Sequence, residues 1–238
     1  MGRRRQELKR EERGAWSRER ERENGNRESG IVKALKGRSR KSYAHAMEPE
    51  ERARLEQLDA IVRSDKVRAK IRPIVDRVCT ALSQKPETLM TWEPILLETF
   101  GEGLPPEIRS GWIFVLRAGA DTGAERHPNS HQRMMTLHGS GDMKVRALHD
   151  ESPSGAEAGA WQSNVLVSES GAPLKRRWIS IPPNVWHRPV VGRNADWVVI
   201  SFHTVPAEEL IEEKLDESGA GTKQKKYVEG KEKVRVKN

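Results

Sequence analysis

Between residues 92 and 204 the chain is cut into short β-branched and aromatic runs, each closed by Gly, Pro, Asp or Asn, and this punctuation limits the fold more than any other feature. The runs cover 92–97, 112–116, 131–137, 143–148, 161–167, 178–181, 185–191 and 197–204. Segments of this length and composition read as strands, and no helical crossover of βαβ length separates them. Eight short strands with turns between them imply a closed barrel or a double-sheet jelly roll, architectures that dispose of exposed sheet edges.

The flanks have a different texture. Ahead of the strands, Leu55, Leu58 and Val62 recur at helical spacing, followed by Val67, Ile71, Ile74, Val78 and Leu82. Pro73 interrupts the second series, and a proline disfavours helical geometry in the residue before it, so the pattern predicts two helices, the second starting near Pro73. These helices are expected to pack outside the barrel or on a partner subunit. After the last strand, residues 206–215 read as a short helix, with Pro206 at its start and Glu208 and Glu209 in its first turn.

Charge is concentrated at the ends. Residues 1–50 hold 15 Lys/Arg against 9 Asp/Glu, and residues 222–238 hold 7 against 2, so the basic balance of the chain (+8 overall) lies outside the strand region. The organisation expected is therefore a basic, disordered arm over 1–48, a helical segment over 49–86, the barrel with its C-terminal helix over 87–217, and a basic flexible tail over 218–238. The arms offer electrostatic contact to nucleic acid, but no aromatic interleaving or recognition motif accompanies them, and a solvated tail is the simpler reading. Cys79 is the only cysteine, which excludes an intramolecular disulfide and a multi-thiolate zinc site. No secretory or membrane-spanning stretch stands out, and a cytoplasmic setting is the expectation.

The strand region carries two motifs that resemble those of the cupin superfamily. The first cupin motif reads Gly, five residues, His-x-His, three or four residues, Glu, six residues, Gly. Here Gly119 is followed by five residues, Glu125-Arg126-His127, four residues, Gln132, six residues and Gly139. Every spacing is kept, while Glu125 stands for the first histidine and Gln132 for the glutamate. The second motif contains Pro-x-Gly-x-x-His, and Pro182-Pro183-Asn184-Val185-Trp186-His187 keeps the proline and the histidine. Asn184 replaces the glycine, a mild change because asparagine best tolerates the left-handed conformation. The opening Gly and closing Asn of that motif are replaced by Arg176 and Val191.

The resemblance implies a mainly β fold, a single cupin-type barrel or double-sheet jelly roll with N-terminal helices and a short C-terminal helix. It also implies a metal set of Glu125, His127, Gln132 and His187. Spacing agrees independently: residues 125 and 127 share a face of a strand, Gln132 opens the next strand after the turn-rich Pro128-Asn129-Ser130, and His187 arrives from a distant strand. Two imidazoles and one carboxylate form a set that favours Fe(II), with Mn, Ni and Zn as alternatives. Glutamine is a weak neutral ligand, suited to ligation, to holding a bound water or to orienting substrate.

Other residues have plainer readings. His127 and His131 make a second candidate metal pair, but Pro128 and Asn129 argue against the helix that pair would need. His138 reads as a turn residue and His203 as a supporting residue behind the ligands. Met134 and Met135 read as packing on opposite faces. Arg117 and Arg133 read as exposed strand arginines or, alternatively, as groups for a substrate carboxylate. The function implied is a metal-dependent enzyme acting on a small molecule, Fe(II)-dependent oxygenation first. A sugar isomerase or epimerase and a non-catalytic, ligand-binding or regulatory cupin are the alternatives, and a homodimer is a further expectation of the resemblance.

Overall fold

A computed structural model of the chain describes residues 47–146, 160–215 and 222–226. The basic arm expected over 1–48 lies almost wholly outside them. Two helices come first, α1 (Pro49–Arg63) and α2 (Asp65–Ser83). The break falls at Ser64, whose side chain accepts from the Val67 N–H as an N-cap, and not at Pro73, which sits inside α2. Pro73 is exposed, and the buried series Val67, Ile71, Val78 and Leu82 continues past it, so packing outweighs the cost of about 3 kcal/mol for a mid-helix proline.

The strands are β1 (Met90–Ile95), β2 (Ser110–Leu116), β3 (Glu125–Arg126), β4 (Gln132–His138), β5 (Ser140–Arg146), β6 (Trp161–Gln162) and β7 (Val165–Val167). After a short helix, α3 (Leu174–Arg177), come β8 (Trp178–Ile181), β9 (Trp186–Val191), β10 (Trp197–His203), β11 (Ile211–Leu215) and β12 (Thr222–Lys226). One sheet runs β1-β2-β10-β4-β8 and the other β12-β11-β3-β9-β5-β6, with β7 on β5. All the paired strands are antiparallel. The result is a double-sheet jelly roll. The sheets are not closed into a continuous barrel, which corrects that form of the expectation.

Two further corrections concern the C-terminal segment. Where a helix was expected over 206–215, Pro206 opens only a single 3₁₀ turn, Ala207–Glu209, and the chain then extends as β11. Part of the tail expected to be loose, Thr222–Lys226, pairs with β11 as a strand. Both changes have one cause: β3 offers an unpaired edge, and β11 takes it with the register Glu213↔Arg126 and Lys214↔Glu125. Backbone pairing of that edge overrides the local helix signals.

The first sheet is buried on both faces because the helices cover its outside. In β2, Trp112, Phe114 and Leu116 pack between the sheets while Ile113 and Val115 pack under the helices with Leu55, Leu58, Val78 and Leu82. This double burial explains why β2 and β10 read as continuous apolar runs. Met134 and Met135 divide between the same two cores, as their alternation required. The motif glycines have their places in the turns: Gly119 has φ +79°, and Gly139 has φ +72° with the Asp196 carbonyl oxygen placed where a Cβ would clash with it. Among the described residues no helix is long and apolar enough to cross a membrane.

Candidate metal centre

The second sheet brings the sequence-distant candidates to one end of the inter-sheet space. β3 supplies Glu125, the chain just beyond it His127, and β9 His187, directly opposite Glu125 in the ladder. One ligand atom from each of these three lies within 4.8 Å of the others. The imidazole centroids of His127 and His187 are 5.3 Å apart, and His187 Nε2 is 3.6 Å from Glu125 Oε1. All three side chains are largely buried: His127 is 5% exposed and His187 1%.

Backbone carbonyls fix how the imidazoles present themselves. His127 Nδ1 lies 3.0 Å from the Ile211 carbonyl oxygen, and His187 Nδ1 3.1 Å from that of Val185. A carbonyl only accepts, so in each ring Nδ1 carries a proton, which leaves Nε2 as the ring nitrogen that could meet a cation. His187 Nε2 is buried and has no hydrogen-bond partner. An imidazole whose Nδ1 is held by a backbone carbonyl is oriented as metal-binding histidines are.

Electrostatics push the same way. Burial, helped by the neighbouring His187, lowers the pKa of His127 to about 4, so the ring is neutral at pH 7. Burial alone would raise the Glu125 carboxyl, but His187 and the Lys214 ammonium overcome it and keep the group ionised below the usual carboxylate range. A neutral His127 imidazole and an ionised Glu125 carboxylate are protonation states that bind a cation.

Gln132 joins this cluster at one remove. Its Nε2 donates to Ser201 Oγ at 3.0 Å, Ser201 Oγ lies 3.2 Å from His203 Nε2, and the His203 ring lies 5.0 Å from that of His127. His203 Nδ1 in turn is 3.3 Å from Ser130 Oγ. The run from the Gln132 amide through Ser201 to His203 and on to Ser130 forms a consistent chain of donors, a scaffold behind His127. Gln132 Oε1 is buried without a partner.

The remaining candidates lie elsewhere. His131 bonds Ser180 Oγ at 2.6 Å on the helix side of the first sheet, facing away from Gln132. Arg133 pairs there with Glu51, and Arg117 donates to the carbonyls of Leu82, Lys85 and Thr88, so neither arginine reaches the cluster. His138 is exposed at the end of β4. Two residues escaped the sequence reading, Glu212 and Lys214 of β11. Lys214 Nζ is 3.4 Å from Glu125 Oε2 and 3.6 Å from Glu212 Oε1, and Glu212 is 2% exposed. Their sequence context signalled a helix, so nothing local marked them as partners of Glu125.

No protein-family model matches the chain, and no curated protein sequence does. Solved structures resemble it over about half of its length, at low identity. CapF of Staphylococcus aureus, a capsular polysaccharide assembling protein, is 12% identical with a TM-score of 0.37 over 58% of this chain and 32% of that one. Oxalate oxidase in complex with the substrate analogue glycolate is 16% identical with a TM-score of 0.34, over 49% of this chain and 51% of the other. KdgF from Halomonas sp. is 11% identical with a TM-score of 0.33, over 50% and 82%. The chain spans about a third of the CapF length and half of the oxalate oxidase length.

Proposed function

We propose that the protein is a metal-dependent cupin enzyme acting on a small molecule, with Fe(II)-dependent oxygenation as its chemistry. The observation that carries this reading is the meeting of Glu125, His127 and His187 within 4.8 Å, with the Nδ1 of each imidazole held by a backbone carbonyl. His127, His187 and Glu125 would hold the ion, and Gln132 Oε1 offers a further neutral oxygen acceptor. A divalent iron held by two imidazoles and a carboxylate supplies open coordination positions for dioxygen and a chelating substrate. The protein's own part is geometric: it brings the three groups together and buries the imidazoles, His127 at 5% and His187 at 1% exposure.

Metal analysis of protein purified without added metal tests the centre. Near-stoichiometric transition metal is expected in the parent, with strong loss in His127→Ala and His187→Ala variants shown to be folded by circular dichroism. Equal metal in all three removes these histidines as ligands. Dioxygen uptake by the Fe(II)-loaded protein across a substrate panel then tests the reaction. Turnover without dioxygen consumption moves the chemistry to a sugar isomerase or epimerase, a reading supported by the ammonium of Lys214 beside Glu125, a group able to assist proton transfer.

A further inference from the structure

Strand β11 pairs with β3 in an antiparallel register that sets Lys214 opposite Glu125 and Glu213 opposite Arg126. Carried further along both chains, that register brings Ile211 opposite Pro128, and there the ladder stops. A proline has no N–H to give to the carbonyl facing it. Ile211 finds side chains instead. Its N–H donates to Asn129 Oδ1 at 3.2 Å, and its carbonyl oxygen lies 3.0 Å from His127 Nδ1. The residues on either side of Pro128 thus take both backbone groups of a single residue of β11.

Asn129 makes a second contact with the same segment, its Nδ2 donating to the Glu209 carbonyl oxygen at 2.7 Å. A backbone carbonyl only accepts and a backbone N–H only donates, so the two bonds fix which way round the amide sits. Between them lies Leu210, extended at φ −64° and ψ 120°, its side chain 1% exposed in the core between the sheets. A solvent-facing amide and a buried leucine together fix where β11 begins, and the Ile211 carbonyl with it.

The two imidazoles of the cluster are therefore held by different means. His187 Nδ1 meets the carbonyl of Val185, two residues away in its own segment. His127 Nδ1 meets a carbonyl 84 residues further along the chain, on a strand that Asn129 clips into place.

We infer that Asn129 is a positioning residue for the metal centre, holding the Ile211 carbonyl where His127 Nδ1 meets it and so leaving His127 Nε2 for the cation. This rests on the metal reading above. The full-length parent and an Asn129→Ala variant are compared by two readouts. The first is NMR of the imidazole N–H protons of the metal-free proteins, assigned through His127→Gln and His187→Gln. In Asn129→Ala the His127 Nδ1–H is expected to exchange with water roughly tenfold faster, while the His187 Nδ1–H keeps the parent's rate. The second is titration with zinc alone, in which the variant is expected to bind about tenfold more weakly. Unchanged exchange at His127, or exchange that quickens equally at His187, overturns the inference, the latter by reducing Asn129 to general stability. A parent that takes up no zinc ends the metal reading itself. A variant that binds zinc as tightly as a zinc-binding parent ends only the part given to Asn129.

Discussion

Charge is buried in two regions of this protein, and they are finished differently. At the seam between α1 and the first sheet, Arg133, with 4% side-chain exposure, donates from Nε and Nη2 to Glu51 at 2.7 and 2.8 Å, and Ser180 donates to the same carboxylate at 2.6 Å. Nearby, Asp59 accepts from Arg177 and from the Trp178 indole. At the candidate metal centre, by contrast, His187 Nε2 and, on β4 of the first sheet, Gln132 Oε1 are buried without hydrogen-bond partners, whereas the atom left over at the seam, Arg133 Nη1, belongs to a guanidinium already bonded twice to Glu51. A buried polar network whose ionised groups meet in bidentate and multiple contacts holds elements together, whereas buried polar groups that converge without hydrogen bonds leave a place for a ligand. The seam is a clamp and the cluster a candidate site.

The largest test of this contrast is Arg133→Met. It leaves Glu51 buried without its main partner, and about 3–5 kcal/mol of stability is expected to go, read as a lower urea midpoint at constant slope. Metal content should be unchanged. Pairing it with Glu51→Gln should restore much of the loss, since the uncompensated charge is then gone. His187→Gln should do the reverse, costing roughly 1 kcal/mol of stability but nearly all bound metal. If Arg133→Met empties the metal site, the two regions are one coupled network and the contrast fails.

Acidification sharpens the comparison. The pKa of His127 is lowered to about 4 from 6.5, first by burial and then by His187. Between those values the unfolded chain binds a proton that the folded chain refuses, so stability falls as pH drops through this window. The loss approaches an order of 3 kcal/mol near pH 4. His203, lowered chiefly by burial, and His131 at the seam, lowered by burial and Arg133, act in the same direction. Urea unfolding of metal-free protein at pH 7, 6 and 5 should therefore show falling stability. His127→Gln should flatten that slope in part, and His131→Gln should remove only the share belonging to the seam. An unchanged slope in His127→Gln would mean that the ring binds its proton equally in the folded and unfolded chains.

A smaller effect is expected from the scaffold behind His127. Ser201→Ala cuts the chain from Gln132 to His203 without touching any of the three clustered ligand groups. Losing an outer partner of this kind typically lowers metal affinity by about 10-fold or somewhat more. Zinc titration of the variant reads it, and an unchanged affinity would make the chain a packing feature alone.

These contrasts also show what the amino-acid sequence could reveal. Strands β8, β9 and β10 were legible almost to the residue, because β-branched and aromatic runs bounded by Pro, Gly and Asn carry their own limits. The meeting of residues 125, 127 and 187 was legible through motif spacing, which encodes the return of the chain. The segment Ile-Glu-Glu-Lys-Leu was not, because its local chemistry is that of a helix and its strand state depends on β3, more than 80 residues earlier, with the pairs Glu213↔Arg126 and Lys214↔Glu125. Glu212 and Lys214 stayed hidden with it. The same limit applied to Ser64: a single N-cap hydrogen bond and continued burial decided the helix boundary, where the more conspicuous Pro73 had suggested another.

Asn184 offers the finest test, since it joins a legible motif to the site. It is the one described non-glycine residue with positive φ, at 65°, and its N–H donates to the His127 carbonyl oxygen at 3.1 Å. The turn it makes therefore holds the backbone of one candidate ligand while leading into β9, which carries another. Asparagine accepts the left-handed conformation at small cost, glycine at none, and alanine at roughly 1 kcal/mol. Asn184→Gly should thus stay within a few tenths of a kcal/mol of the parent, its easier φ offset by a freer unfolded chain. Asn184→Ala should lower Tm by about 3 °C. Equal Tm values for the two variants would show that the turn relaxes out of the left-handed region when asked, and that the His127 backbone is positioned by β3 and β11 instead.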